Sequence, residues 1–128
     1  MKTYRNPENV HPPIAGYTHQ IEITGPERML VLSGQVGCTE EGTVPEDSIA
    51  QLDMAFENLY RNLKSAGMDM QDIVKITLYL VGEMDAAKRR DVISSRLKDH
   101  KPCMTLVYVA GLANPIYKVE LDAWASTE

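Results

Sequence analysis

Cysteine is nearly absent from this chain. Cys38 and Cys103 lie far apart and fit no metal-ligand spacing, so neither a disulfide framework nor a zinc site is expected. Cys38 falls in a polar loop, and Cys103 reads as a small buried residue with no base to activate it. Histidine is as sparse: His11, His19 and His100 form no HxxxH or HxH pair, which argues against a metal centre. No GxGxxG or GxxxxGKS/T loop is present to cradle a nucleotide. Positive charge is also short, with 13 Lys and Arg against 18 Asp and Glu and a formal net charge of -5. Phosphate binding needs clustered cations, so a nucleic acid is not an expected partner. No apolar run approaches the ~20 residues of a membrane span, and the opening MKTYRNPENVHPP carries no apolar signal core. The expected location is cytoplasmic, away from any membrane.

What is present is an ordinary globular composition, 44% hydrophobic and 24% charged over 128 residues. That is enough chain for one domain, 1–128, with a real core. Residues 1–16, with three prolines, read as an irregular arm. Tyr17 to Thr24 suits a half-exposed strand, Gly25-Pro26-Glu27-Arg28 a turn, and Met29 to Ser33 a second strand, together a β-hairpin. The run Met29-Leu30-Val31-Leu32-Ser33-Gly34-Gln35-Val36-Gly37 stands out because an apolar strand climbs into a hydroxyl and a bare backbone. Gly34 permits a close approach that a Cβ would block. Such a run is either an ordinary strand end or the wall of a small pocket.

After a polar loop from Cys38 to Glu46, Ser48 and Gln51 read as a capping box. Ile49, Leu52, Phe56, Leu59 and Leu63 then form one apolar helical stripe, closed by Gly67 as a C-cap. Asp72 to Val81 is a strand with Val74, Ile76, Leu78 and Leu80 on one face and Lys75, Thr77 and Tyr79 on the other. A second helix runs from about Asp85 to Asp99, its inner face carrying Ala86, Ile93, Leu97 and Arg90. Arg90 there reads most simply as a side chain snorkelling at the edge of the core. Met104–Ala110 and Lys118–Ser126 are the last strands, separated by a loop from Gly111 to Tyr117. In the final strand Val119, Leu121, Ala123 and Ala125 point one way, and Glu120, Asp122 and Trp124 the other. The order is ββαβαββ, an α+β domain with two helices on one face of a mixed sheet. The uncovered face would carry Tyr79, Thr77, Trp124 and Glu120, a semi-apolar surface too mixed for solvent alone, so association through it is expected, with pockets between copies.

Taken in order, these elements carry a family resemblance. Asn6-Pro7, Gly16-Tyr17, Leu32-Ser33-Gly34-Gln35-Val36, Gly42, Gln51 and Asn58-Leu59 are followed by Ala66-Gly67, Asp72-Ile73-Val74-Lys75, Tyr79-Leu80 and Val119-Glu120-Leu121-Asp122-Ala123. The set resembles the Rid (YjgF) family, the reactive-intermediate deaminases once labelled L-PSP endoribonucleases. The resemblance implies a chorismate-mutase-like fold and a homotrimer with clefts at the subunit interfaces. It also implies hydrolysis of enamines and imines, such as 2-aminoacrylate, to a keto acid and ammonia, with a small-molecule metabolite as partner and no cofactor. Carried over by position, Glu120 matches the glutamate that orients water, while Tyr17, Ser33 and Gly34 match residues that complete the substrate pocket.

One departure bears on activity. Where the family's active members have an arginine in Pro-x-Arg-Ser/Thr that clamps the substrate carboxylate, this chain reads Pro102-Cys103-Met104-Thr105. Methionine cannot replace that bidentate charge. Arg90 stands near a family asparagine on the second helix and could return a positive charge to the cleft. Three readings follow: an imine hydrolase with an atypical substrate and altered or lost activity on 2-aminoacrylate, a non-catalytic metabolite-binding trimer, and, weakest given the acidic charge, a ribonuclease.

Overall fold

Strand β6 (Val119–Ser126) is central to the main sheet of the chain, a computed structural model that describes residues 1–127. It pairs antiparallel with β3 (Met29–Val36) on one side and β4 (Ile73–Leu80) on the other. β5 (Cys103–Tyr108) adds parallel to β4, so the strand order is β3-β6-β4-β5 and the sheet is mixed. The period of two along each strand divides its side chains between two faces. Val119, Leu121, Ala123 and Ala125 are buried with Ile76, Leu78 and Leu80 on the face that meets the helices.

That face is covered by α1 (Ser48–Ser65), whose Leu52, Phe56, Leu59 and Leu63 are wholly buried while Ile49 is only half-buried. Gly67, with φ of +72°, lets the chain turn out of the helix, and the Met68 N–H donates back to the Leu63 carbonyl. The start of α1 differs from the capping box expected of Ser48 and Gln51. Asp47 is the cap, its side chain accepting from the Ala50 N–H at 3.1 Å. Gln51 turns inward and is buried. Its amide donates to the carbonyls of Pro45 (2.8 Å) and Ile116 (3.0 Å) and accepts from the Lys118 N–H (2.8 Å). A buried amide with every partner supplied ties the loop before α1 to the loop before β6.

α2 (Ala86–Leu97) packs beside α1 and starts at Asp85, whose carboxylate accepts from the Lys88 N–H and is held below the usual carboxylate range by that bond. Its inner face is shifted from the expected one. Leu97 is buried and Val92 and Ile93 are half-buried, but Ala86 and Arg90 are exposed. The arginine that reaches α1 is Arg96, bonded to Asp53 at 2.9 Å and Glu57 at 2.9 Å. The Arg96 guanidinium holds the Glu57 carboxyl below its ordinary value.

Two further expectations at the N-terminus give way. Lys2–Arg5 forms β1, inside the segment expected to be irregular, and pairs antiparallel with β2 (Gln20–Ile23). β2 is therefore not the first arm of a hairpin with β3; β1 and β2 form their own two-stranded sheet. The turn at Gly25 (φ +57°) is real, but β3 spends its pairing on β6. Local turn chemistry marks where a strand ends and leaves open which strand it pairs with. Among the described residues no helix is long and apolar enough to cross a membrane.

Candidate functional site

The register of β3 against β6 slips once. Leu32 pairs with Ala123 and Gln35 with Leu121, so Ser33 and Gly34 together oppose Asp122. This is a β-bulge, which bends its strand and re-aims the side chains around it. From the helix side the bulge is braced by Gln35, which donates to the Ser33 carbonyl at 3.1 Å and accepts from Asn62 of α1 at 3.0 Å. On the other, helix-free face, the Glu120 side chain lies against Gly34. A Cβ placed on Gly34 would stand 2.6 Å from Glu120 Cδ and 2.9 Å from Cγ. Glycine leaves the room that the Glu120 carboxylate occupies.

Tyr79 of β4 sits directly opposite Glu120 in register, and its hydroxyl donates to Asp122 Oδ2 at 2.9 Å. That bond, with burial behind it, pushes the Tyr79 phenol above its ordinary value. Asp122 is thus engaged, whereas the Glu120 carboxylate and the Ser33 hydroxyl take part in no side-chain hydrogen bond or ion pair among the described residues. A free carboxylate over exposed backbone can orient a water and accept a proton from it.

The remaining expected site residues lie elsewhere on the protomer. Tyr17 packs edge-on against His19 at 5.5 Å, and its hydroxyl accepts from the Ile14 N–H. The adjoining Thr18 bonds to the Pro102 and Lys101 carbonyls, so this segment lies on the residues that lead into β5. β5 and β3 are opposite edges of the sheet, about 14 Å apart at three strand spacings. Met104 pairs with Ile76 and packs against the core on the helix side, away from the face that holds Glu120. Arg90 is exposed on α2. Within one chain, then, Ser33, Gly34 and Glu120 come together, and Tyr17, Met104 and Arg90 do not join them.

Asp122 and Tyr79, expected on the same face as Glu120, were not among the expected site residues. Their signal was alternation, since residues two apart on a strand share a face with Glu120. Cys103, beside Lys75 on that face, has its thiol pushed up by burial, which leaves it a poor nucleophile. Among the described residues no cluster of histidine, cysteine and carboxylate side chains is arranged to hold a metal ion.

The family model described as Endoribonuclease L-PSP matches residues 8–127. The chain belongs to the Rid (YjgF) family. A Rid-family relative, a RutC family protein of Pyrococcus horikoshii, is 28% identical over 130 residues that cover all of both chains. TdcF of Escherichia coli K12, whose name places it among reactive intermediate deaminases, is 30% identical over 101 residues, covering 76% of this chain and 78% of TdcF. In structure, the Rid-family protein YyfB of Yersinia pestis superposes with a TM-score of 0.85 at 25% identity, covering 98% of each chain. E. coli TdcF with bound serine superposes with a TM-score of 0.73 at 27% identity, covering 98% of this chain and 96% of TdcF. The α+β fold, two helices over a mixed sheet, is that of these Rid-family neighbours.

Proposed function

We propose that this Rid-family protein assembles as a homotrimer and hydrolyses an imine or enamine to a keto compound and ammonia in clefts between subunits, with little activity on 2-aminoacrylate. The observation that carries the reading is the unpartnered Glu120 carboxylate lying on Gly34, in the bulge that Gly34 shares with Ser33. Glu120 is the group that would deprotonate the attacking water, with Ser33 and the bulge backbone holding the polar end of the ligand. Similarity to TdcF, solved with bound serine, supports a small-molecule ligand.

Assembly is supported by the position of Tyr17. It belongs with Ser33 and Glu120 only if the β5 edge of one copy meets the β3 edge of another. Apolar residues on the uncovered face agree: Val31 is 61% exposed and Trp124 48%, adjacent in register. Met104 supports the altered substrate range, because it is apolar and turned to the core. It equally favours a second reading, a trimer that holds a metabolite without turnover.

The test is pyruvate and ammonia release from 2-aminoacrylate generated in situ, with the mass in solution measured alongside. A trimer with rates close to background is expected. Release far above background would overturn the substrate assignment, and a monomer at working concentration would overturn the interfacial cleft. Saturable ligand binding without turnover of any imine would favour the second reading.

A further inference from the structure

The side chains on the helix-free face define its charge. Reading across the register from β3 to β5, one row is Val31, Trp124, Lys75 and Cys103. The next is the Ser33–Gly34 bulge, Asp122, Thr77 and Thr105. A third carries Glu120, Tyr79 and Val107. Two carboxylates stand on this face two residues apart, about 7 Å along the strand. Among the described residues these rows carry one cation, Lys75, whose ammonium is tied to the Thr105 hydroxyl at 2.7 Å, and Lys118, just before β6, has its ammonium on the Pro115 carbonyl at 3.3 Å. The arginines are committed elsewhere: Arg5 to Gln20 and Glu22, Arg28 to the Ala66 carbonyl, Arg61 to Glu57, Arg89 to Tyr108, and Arg96 to Asp53 and Glu57. Arg90 is the remaining arginine, and it is exposed on α2.

A ligand bearing a carboxylate would meet like charge here, with no fork of guanidinium donors to hold it. A ligand bearing a positive charge would meet Glu120 directly. We infer that the substrates of this site are carboxylate-free iminium ions, the protonated imines of simple amines. The inference rests on the imine-hydrolase reading of Glu120 and names its substrate class.

The chemistry balances without a further reactant. Water adds to the iminium carbon as Glu120 takes one of its protons, giving a neutral carbinolamine. The Glu120 proton then passes to nitrogen, the C–N bond breaks as the C=O bond forms, and the hydroxyl proton leaves with the nitrogen as ammonium. One carbonyl compound and one ammonium ion result from one iminium ion and one water.

The experiment compares two imines that differ by the carboxylate alone. The imine of benzylamine is generated by a flavin amine oxidase and that of phenylglycine by an amino-acid oxidase. Each is trapped as its semicarbazone, and a fall in the initial rate of semicarbazone formation on adding the protein reports accelerated hydrolysis, because the freed carbonyl compound condenses more slowly than the imine. The benzylamine imine is expected to be preferred by at least about tenfold, the discrimination that ~1.4 kcal/mol of charge preference gives, with Glu120→Gln removing the effect. Equal or faster hydrolysis of the phenylglycine imine would overturn the inference and leave the hydrolase reading standing. If Arg90→Ala then abolished that activity, Arg90 would be the carboxylate's partner. Acceleration of neither imine would overturn both.

Discussion

The two faces of β6 obey different rules. Val119, Leu121, Ala123 and Ala125 are wholly buried against the helices, while Glu120, Asp122 and Trp124, alternating with them, remain half-buried or exposed. On the first face the residues are dictated by volume, because a close-packed interior has no slack. On the second they are dictated by chemistry and by what else must pack there. A carboxylate over a glycine is a poor way to stabilise a sheet, which fits the role proposed for Glu120. The comparison can be broken most sharply by cutting each face once. Leu121→Ala should cost about 2–5 kcal/mol, the usual toll of a cavity in a core, and the loss should appear in denaturant melts at every protein concentration. Trp124→Ala should leave the isolated chain's stability within about 0.5 kcal/mol. It should instead make stability depend more steeply on concentration and shift the mass distribution toward smaller species. A Trp124 variant as destabilised as the Leu121 variant at high dilution would erase the distinction.

Gly34→Ala sharpens the contrast from the functional side. The atoms a new methyl would meet belong to the end of the Glu120 side chain, which can swing aside, so the stability cost should stay below about 1 kcal/mol, under the usual range for overpacking a rigid core. Displacing the carboxylate should nevertheless lower imine hydrolysis by about a hundredfold, the lower end of what a positioned general base contributes. Near-normal turnover in this variant, with a normal melt, would detach Glu120 from the reaction.

The helix-facing side was the part of the molecule most readable in advance. The stripe Leu52, Phe56, Leu59 and Leu63 and the alternation of Val119 to Ala125 follow from the periods of helix and strand, and burial matches them. What failed was whatever depends on partners distant in sequence. β1 was hidden in a segment with three prolines, and β2 was assigned to β3 because Gly25-Pro26 looks like a hairpin turn. The α1 cap slipped by one residue, from Ser48 to Asp47, because both are good caps and Gln51 had another task. On α2, two adjacent arginines and few apolar residues left the inner face ambiguous, and Arg90 proved exposed where Arg96 makes the bonds. The candidate site was legible as a list of residue types in Ser33, Gly34 and Glu120. The bulge that brings them together arises from a register slip between strands almost ninety residues apart, which no local pattern encodes.

The smallest expected effect belongs to Tyr79→Phe, which removes one hydroxyl and keeps the ring. The Tyr79–Asp122 bond is partly open to water, so its loss should cost about 0.5–1.5 kcal/mol. Its sign with pH is fixed by the raised phenol. The folded state favours the neutral hydroxyl, so the contribution is complete below the unfolded tyrosine value of ~10 and disappears as pH rises through the higher folded value. The stability gap between wild type and Tyr79→Phe should therefore hold steady from neutral pH to about 10 and close above it, while phenolate absorbance shows Tyr79 and Tyr117 titrating late in the wild type and Tyr117 alone doing so in the variant. In the variant Asp122 loses its donor and becomes a second free carboxylate beside Glu120. Hydrolysis of a carboxylate-free imine should survive that change, since the added charge attracts the same iminium ion. A Tyr79→Phe variant that keeps its fold yet loses all hydrolysis would mean that Tyr79, and not Glu120 alone, handles the proton.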